Sequence, residues 1–121
     1  MLKPRILFVC QQGRESSILA GEMRAWLLKT SRAGVFRVEH LPKGMDDNKD
    51  LLDVQHHLVG SDLIVALDRG PSMLNEIRRF IRGERHPPVV HELGPTNSLP
   101  SIDVWGEMLL EKARLSASKR H

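Results

Sequence analysis

The chain has 121 residues, 40% hydrophobic and 27% charged, with a net charge of +3. That is the size and balance of one domain with one core, residues 1–121. No apolar run reaches the ~20 residues needed to cross a bilayer, and no membrane partner is expected. Basic residues cluster only at Arg78, Arg79, Arg82 and Arg85 and at Lys119 and Arg120, with no aromatic platform between them, so nucleic-acid binding is not expected.

The N-terminal stretch MLKPRILFVC has a basic start and a short apolar run but no small-residue cleavage site, and it does not read as a signal peptide. Together with a single cysteine, Cys10, this implies a cytoplasmic, disulfide-free protein. Ile6 to Val9 is an unbroken apolar run, as in a central parallel strand covered on both faces. Ser16 or Ser17 is the expected cap of a first helix, with Leu19, Met23, Trp26 and Leu27 on one stripe. The helix fades between Ser31 and Gly34.

Val35 to Leu41 alternates apolar with polar and predicts a strand nearer the sheet edge. Asp46 or Asp47 is the expected cap of a second helix, which places Leu51, Leu52, Leu58 and Val59 on one face and stops at Gly60. Asp62 to Asp68 is a second central-strand signal. Pro71 or Ser72 opens a third helix carrying Met73, Ile77, Phe80 and Ile81, and Pro88 to Leu93 predicts a fourth strand. A turn-rich segment runs from Gly94 to Asp103, Trp105, Met108 and Leu109 begin a last helix, and the tail from about Ser116 is expected to be loose. Four alternating β and α units with right-handed crossovers predict an α/β fold, a three-layer doubly wound sheet of four parallel strands. Ligands in such sheets sit at the carboxyl ends of the strands, where the loop after Val9 lies.

That loop, CQQGRESS, has the chemistry of an anion cradle. Backbone N–H groups of Gln11, Gln12, Gly13, Arg14, Ser16 and Ser17, with the following helix N-terminus, suit an anion such as phosphate or sulfate. The same donors favour a thiolate over a thiol, which makes a cysteine at the loop start nucleophilic. The competing reading is a small inert hydrophobe at the end of a buried strand.

ILFVC followed by a short loop, Ser17 and a helix resembles the phosphate-binding loop of low-molecular-weight protein tyrosine phosphatases, with its Cys-(x)5-Arg-Ser/Thr pattern. Ser61 to Gly70 (SDLIVALDRG) resembles the family's third-strand segment, and Ser101 to Gly106 (SIDVWG) its late Asp-Pro-Tyr-Gly loop. The resemblance implies the low-molecular-weight phosphatase fold and hydrolysis of a phosphomonoester, on a phosphorylated protein or a small molecule. Cys10 would be the nucleophile forming a cysteinyl-phosphate, Ser17 the hydroxyl that steadies the thiolate, and Asp103 the general acid. Ser16 stands where the family has its phosphate-clamping arginine, Val104 replaces the proline and Trp105 the tyrosine. Arg14, two residues earlier, is the candidate to compensate, and Arg69 lies after the third strand, where it adds positive potential or is a surface residue. Asp68 either acts at the site or caps a helix. With the arginine lost, a degenerate domain that only binds an anion or a phosphoprotein is the alternative.

The same loop also resembles the Cys-x-x-Gly-x-x-Ser/Thr-Ser loop of sugar phosphotransferase IIB components, which implies a phosphocysteine carrier. No cofactor is implied, because no dinucleotide or Walker-type glycine motif is present. No metal site is expected: His56 and His57 are adjacent and point apart on a helix, and His40, His86 and His91 stand alone.

Overall fold

The apolar run at residues 5–9 forms the axis of the fold because both of its faces are covered. A computed structural model describes residues 3–45, 50–67 and 71–121. Strand β1 (Arg5–Val9) pairs in parallel with β2 (Arg37–His40) on one side and β3 (Leu63–Ala66) on the other, and β4 (Val89–Glu92) completes the order β2-β1-β3-β4. The register sets Ile6 beside both Val38 and Leu63, and Leu63 beside Val89.

Side chains alternate across the pleat, so β1 feeds two cores. Ile6, Phe8 and Cys10 face α1 (Arg14–Lys29) and α4 (Ile102–Arg120), where Leu19, Met23, Leu27, Trp105 and Leu109 close the layer. Leu7 and Val9 face α2 (Leu51–Val59) and α3 (Pro71–Ile81), meeting Val54, Leu58, Met73 and Ile77. Phe8 and Trp105 meet edge to face, ring centroids 6.4 Å apart. Helices on both faces of an all-parallel sheet give the three-layer α/β architecture expected from the alternating pattern. The crossover from β1 leads to one sheet edge and the chain then returns past β1 to β3, so the switch point lies between β1 and β3, just above Cys10.

Four local expectations are corrected. Helix α1 begins at Arg14, two residues before the serines, because Gly13 takes the N-cap position in the left-handed region, φ 80°. Asp46 and Asp47 lie outside the described residues, and the cap of α2 is Asp50, whose carboxylate accepts from the Asp53 N–H at 3.1 Å. The buried face of α2 is Val54 and Leu58, whereas Leu51 and Leu52 stay exposed. The C-terminal tail is not loose: α4 continues to Arg120, and Ser116 and Ala117 are buried.

A guanidinium anchors that last turn. Arg120 donates to Asp62 Oδ1 at 3.1 Å, to the Val59 carbonyl at 2.6 Å, to the His86 carbonyl at 2.8 Å, and to the Ser61 carbonyl. Asp62 is buried and also accepts from the Arg5 N–H at 2.9 Å. The end of the chain thus satisfies a buried carboxylate at the amino edge of the sheet, the opposite end from Cys10.

Candidate functional site

Cys10 follows the last residue of β1, and its side chain is buried. The Gly13 N–H donates to Cys10 Sγ at 3.0 Å and the Ser16 N–H at 3.4 Å. The thiol lies 3.2 Å from Ser16 Oγ, to which it donates, and the Ser16 hydroxyl in turn donates to the Gly13 carbonyl at 3.2 Å. The sulfur therefore sits where a helix N-cap oxygen ordinarily would, taking the backbone donor of the third helical residue.

A second loop holds this one in place. The turn after β2 packs its backbone on the Cys10 loop, and the Met45 N–H donates to the Cys10 carbonyl at 3.0 Å. Lys43 and Gly44 both have positive φ, 65° and 69°. A Cβ at Gly44 would lie 2.4 Å from both the Gln11 carbonyl oxygen and the Gly13 nitrogen, and one at Gly13 would lie 2.8 Å from the Gly44 nitrogen. Each glycine is required by the other's close approach. Gly44 was missed in the sequence because a Gly in a turn-rich stretch signals a turn but not the loop it touches.

Of the two serines, Ser16 is fully buried at the sulfur, whereas Ser17 is exposed, its N–H directed at the Gly13 carbonyl at 3.4 Å. The serine in contact with the sulfur is thus Ser16. Gln12 and Arg14 are exposed, and Gln11 is half-buried. Arg14 is the first residue of α1 and makes no ion pair among the described residues. Asp68 and Arg69 lie outside the described residues.

Asp103 stands elsewhere. Its carboxylate accepts from Trp26 Nε1 at 2.9 Å, on the flank of α1. The Trp26 backbone lies ten residues beyond Ser16, about 15 Å along the helix axis. Gly106 permits this contact, since a Cβ there would lie 2.7 Å from the indole. The indole also carries the Arg32 guanidinium over its ring, 4.6 Å from the centroid, and Arg32 pairs with Glu107 at 2.6 Å. The hydrogen bond to Glu107 is the main cause holding the Arg32 guanidinium above its ordinary range, and Asp103 adds to it.

Among the described residues no group of three or more His, Cys, Asp or Glu is placed to hold a metal, and no helix is long and apolar enough to cross a membrane. Fold and site together define a three-layer α/β protein with a hydrogen-bonded cysteine at the switch point of a parallel sheet. Comparison with protein-family models, with curated proteins and with solved structures finds no match.

Proposed function

We propose that this protein is a cysteine-dependent phosphoryl-transfer protein, similar in chemistry and fold to the low-molecular-weight phosphatases, in which Cys10 accepts a phosphoryl group from a phosphomonoester. The observation that carries this reading is the convergence of the Gly13 N–H, the Ser16 N–H and the Ser16 hydroxyl on one sulfur at the switch point. The two N–H groups are oriented for a negatively charged sulfur. The thiol hydrogen-bonds to Ser16 Oγ, and once its proton has been lost to solvent water the Ser16 hydroxyl rotates from the Gly13 carbonyl to the sulfur. The thiolate attacks phosphorus, an S–P bond forms, the P–O bond to the leaving group breaks, and the leaving oxygen carries off the electron pair.

A second observation bears on the lifetime of the cysteinyl-phosphate. The general-acid role implied for Asp103 needs that carboxylate to leave Trp26 Nε1. With Asp103 retained there, breakdown of the cysteinyl-phosphate is slow, and the protein behaves as a phosphocysteine carrier rather than as a turnover phosphatase.

p-Nitrophenyl phosphate tests both steps, because nitrophenolate departs without being protonated and the first step does not depend on Asp103. The expected result is a burst of one nitrophenolate per protein, with a mass gain of one phosphoryl group that Cys10→Ser abolishes. Steady cysteine-dependent turnover keeps the nucleophile and overturns the slow breakdown. No release and no adduct, with phosphate raising the melting temperature, would reduce the loop to an anion-binding site and sink the proposal.

A further inference from the structure

The amino end of the sheet, opposite the Cys10 loop, carries the molecule's excess positive charge. Arg78 and Arg79 stand in the last turn of α3, Arg82 follows it, and Arg85 lies in the turn that leads to β4. Met73, Ile77 and Ile81 form the buried face of α3, and all four arginines are exposed. Arg120 is 34 residues beyond His86, yet its Nε donates to the His86 carbonyl at 2.8 Å. That bond seats the turn before β4 against the last turn of α4 and brings the exposed Lys119 to the same end. Two basic clusters that are separate in the sequence thus form one surface.

None of these five cations makes an ion pair among the described residues. Glu76 and Glu84 are the acidic residues of the same segment, and neither pairs with them. Asp62, at this end of the sheet, is buried and already held by Arg120. Set against Glu76 and Glu84, the five cations account for the whole net charge of +3, and the rest of the chain is neutral on balance. Helix dipoles favour cations in a last turn, which accounts for Arg78, Arg79 and Lys119. Arg82 and Arg85 lie beyond the end of α3 and have no such reason.

We propose that this end of the molecule binds the phosphate backbone of a nucleic-acid duplex, without reading its bases. A basic face on a domain with an isoelectric point of about 9.4 is the electrostatic footprint of such a partner. Four of the five cations are arginines, whose planar forks hold two oxygens of one phosphate. Among the described residues no Phe or Trp is exposed, so the surface has neither the stacking platform of a single-strand binder nor the aromatic anchors of a membrane-surface helix. A duplex needs neither, because its sequence-independent affinity comes from the phosphates. The cations come from helices on opposite faces of the sheet, so they spread across its end instead of lining a slot for one acidic peptide. The Cys10 loop lies at the other end, and this inference stands independently of its chemistry.

The full chain is titrated at low salt into a fluorescently labelled DNA duplex of mixed sequence, and the anisotropy is followed. The expected result is saturable binding, equal for two unrelated sequences. With all five cations on phosphates, log affinity falls with log salt concentration at a slope of about −4.5. Arg82→Gln with Arg85→Gln makes the slope shallower by about 2 and weakens low-salt binding by about tenfold or more. Unchanged far-UV circular dichroism and melting temperature confirm that the double variant is folded. The proposal is overturned by an absence of binding, by equal affinity of the double variant, or by a comparable loss in Lys43→Gln, whose cation lies beside the Cys10 loop. It is also overturned if polyglutamate or phosphatidylserine vesicles bind more tightly than the duplex at the same salt, which would assign the surface to an acidic protein or a membrane.

Discussion

Replacing Gly44 by alanine tests whether the turn after β2 shapes the Cys10 loop. The new Cβ would stand 2.4 Å from the Gln11 carbonyl oxygen and from the Gly13 nitrogen, and 2.6 Å from the Gln11 carbonyl carbon. All three are backbone atoms, so no side chain can swing away. The position also has φ 69°, which costs an L-residue about 1–2 kcal/mol, and forcing a methyl into packed backbone costs about 1–3 kcal/mol more. The sum, about 2–5 kcal/mol, is a large share of the ~5–15 kcal/mol that holds a domain folded. One of the crowded atoms, the Gly13 nitrogen, also donates to Cys10 Sγ at 3.0 Å, so relief of the clash loosens the donor set around the sulfur. Urea unfolding reads the stability, and labelling by an aromatic disulfide reads thiol access, which is expected to rise. Gly21→Ala is the control: it lies inside α1 with nothing within 4 Å of the added Cβ, and is expected to gain about 0.5–1 kcal/mol. A Gly44→Ala protein within about 0.5 kcal/mol of wild type, with unchanged labelling, would refute the reasoning.

Three further outcomes are expected. Ser16→Ala removes a buried hydroxyl worth about 1 kcal/mol at the sulfur, so iodoacetamide alkylation of Cys10 at neutral pH slows about fivefold; an unchanged rate means that Ser16 does not stabilise the thiolate. Arg120→Ala leaves Asp62 buried with the Arg5 N–H and His121 as partners and costs about 3 kcal/mol in urea unfolding, whereas a loss below about 0.5 kcal/mol means that the C-terminal turn is not anchored. Burial pushes the Glu39 carboxyl up, but the hydrogen bond from Arg5 at 2.5 Å and the charges of Arg5 and Arg37 outweigh it and hold it below the usual carboxylate range. Its folded value is the lower one, so its contribution is present above the unfolded value of about 4.5 and is lost as pH falls through the folded value. Glu39→Gln is therefore expected to flatten the acid limb of the stability curve, and an unaltered limb counts against it.

The sheet was legible because parallel strands buried on both faces leave continuous apolar runs. Ile6–Val9 and Leu63–Ala66 are all buried and lie side by side. The edge position of β2 was legible too, from its alternation of Arg37, Val38 and Glu39. Helix faces were less secure. Leu58 faces the sheet as the stripe predicts, but Leu51 and Leu52 stand in the first turn of α2 and stay exposed, while Val54, outside the stripe, is buried. The tail misled for a different reason. Ser116 to Arg120 is polar by composition, yet a guanidinium with a long stem reaches the buried Asp62, and that pairing between distant parts of the chain has no local signature.

The site shows the same limit more sharply. In the linear pattern Ser16 reads as a loss, the position where a clamping arginine is missing, and Ser17 reads as the working hydroxyl. That assignment counts residues from the cysteine and presumes a loop that ends at the serines. The left-handed Gly13 ends it earlier, so α1 begins at Arg14 and its third residue turns inward. Ser16 then meets the sulfur with both its N–H and its hydroxyl, while Ser17, one residue on and about 100° around the helix, faces solvent. An arginine at position 16 would share the serine's Cβ, but with the same side-chain direction its chain beyond Cβ would have to enter the space beside Sγ that the buried hydroxyl fills. In this loop a small hydroxyl residue is what the geometry accommodates. Under the proposed function, a bound phosphoryl group meets the backbone N–H groups and the Ser16 hydroxyl first, with Arg14 the one cation of the loop. On that same proposal, such a donor set favours a long-lived phosphoryl group on sulfur over one clamped bidentately for rapid hydrolysis.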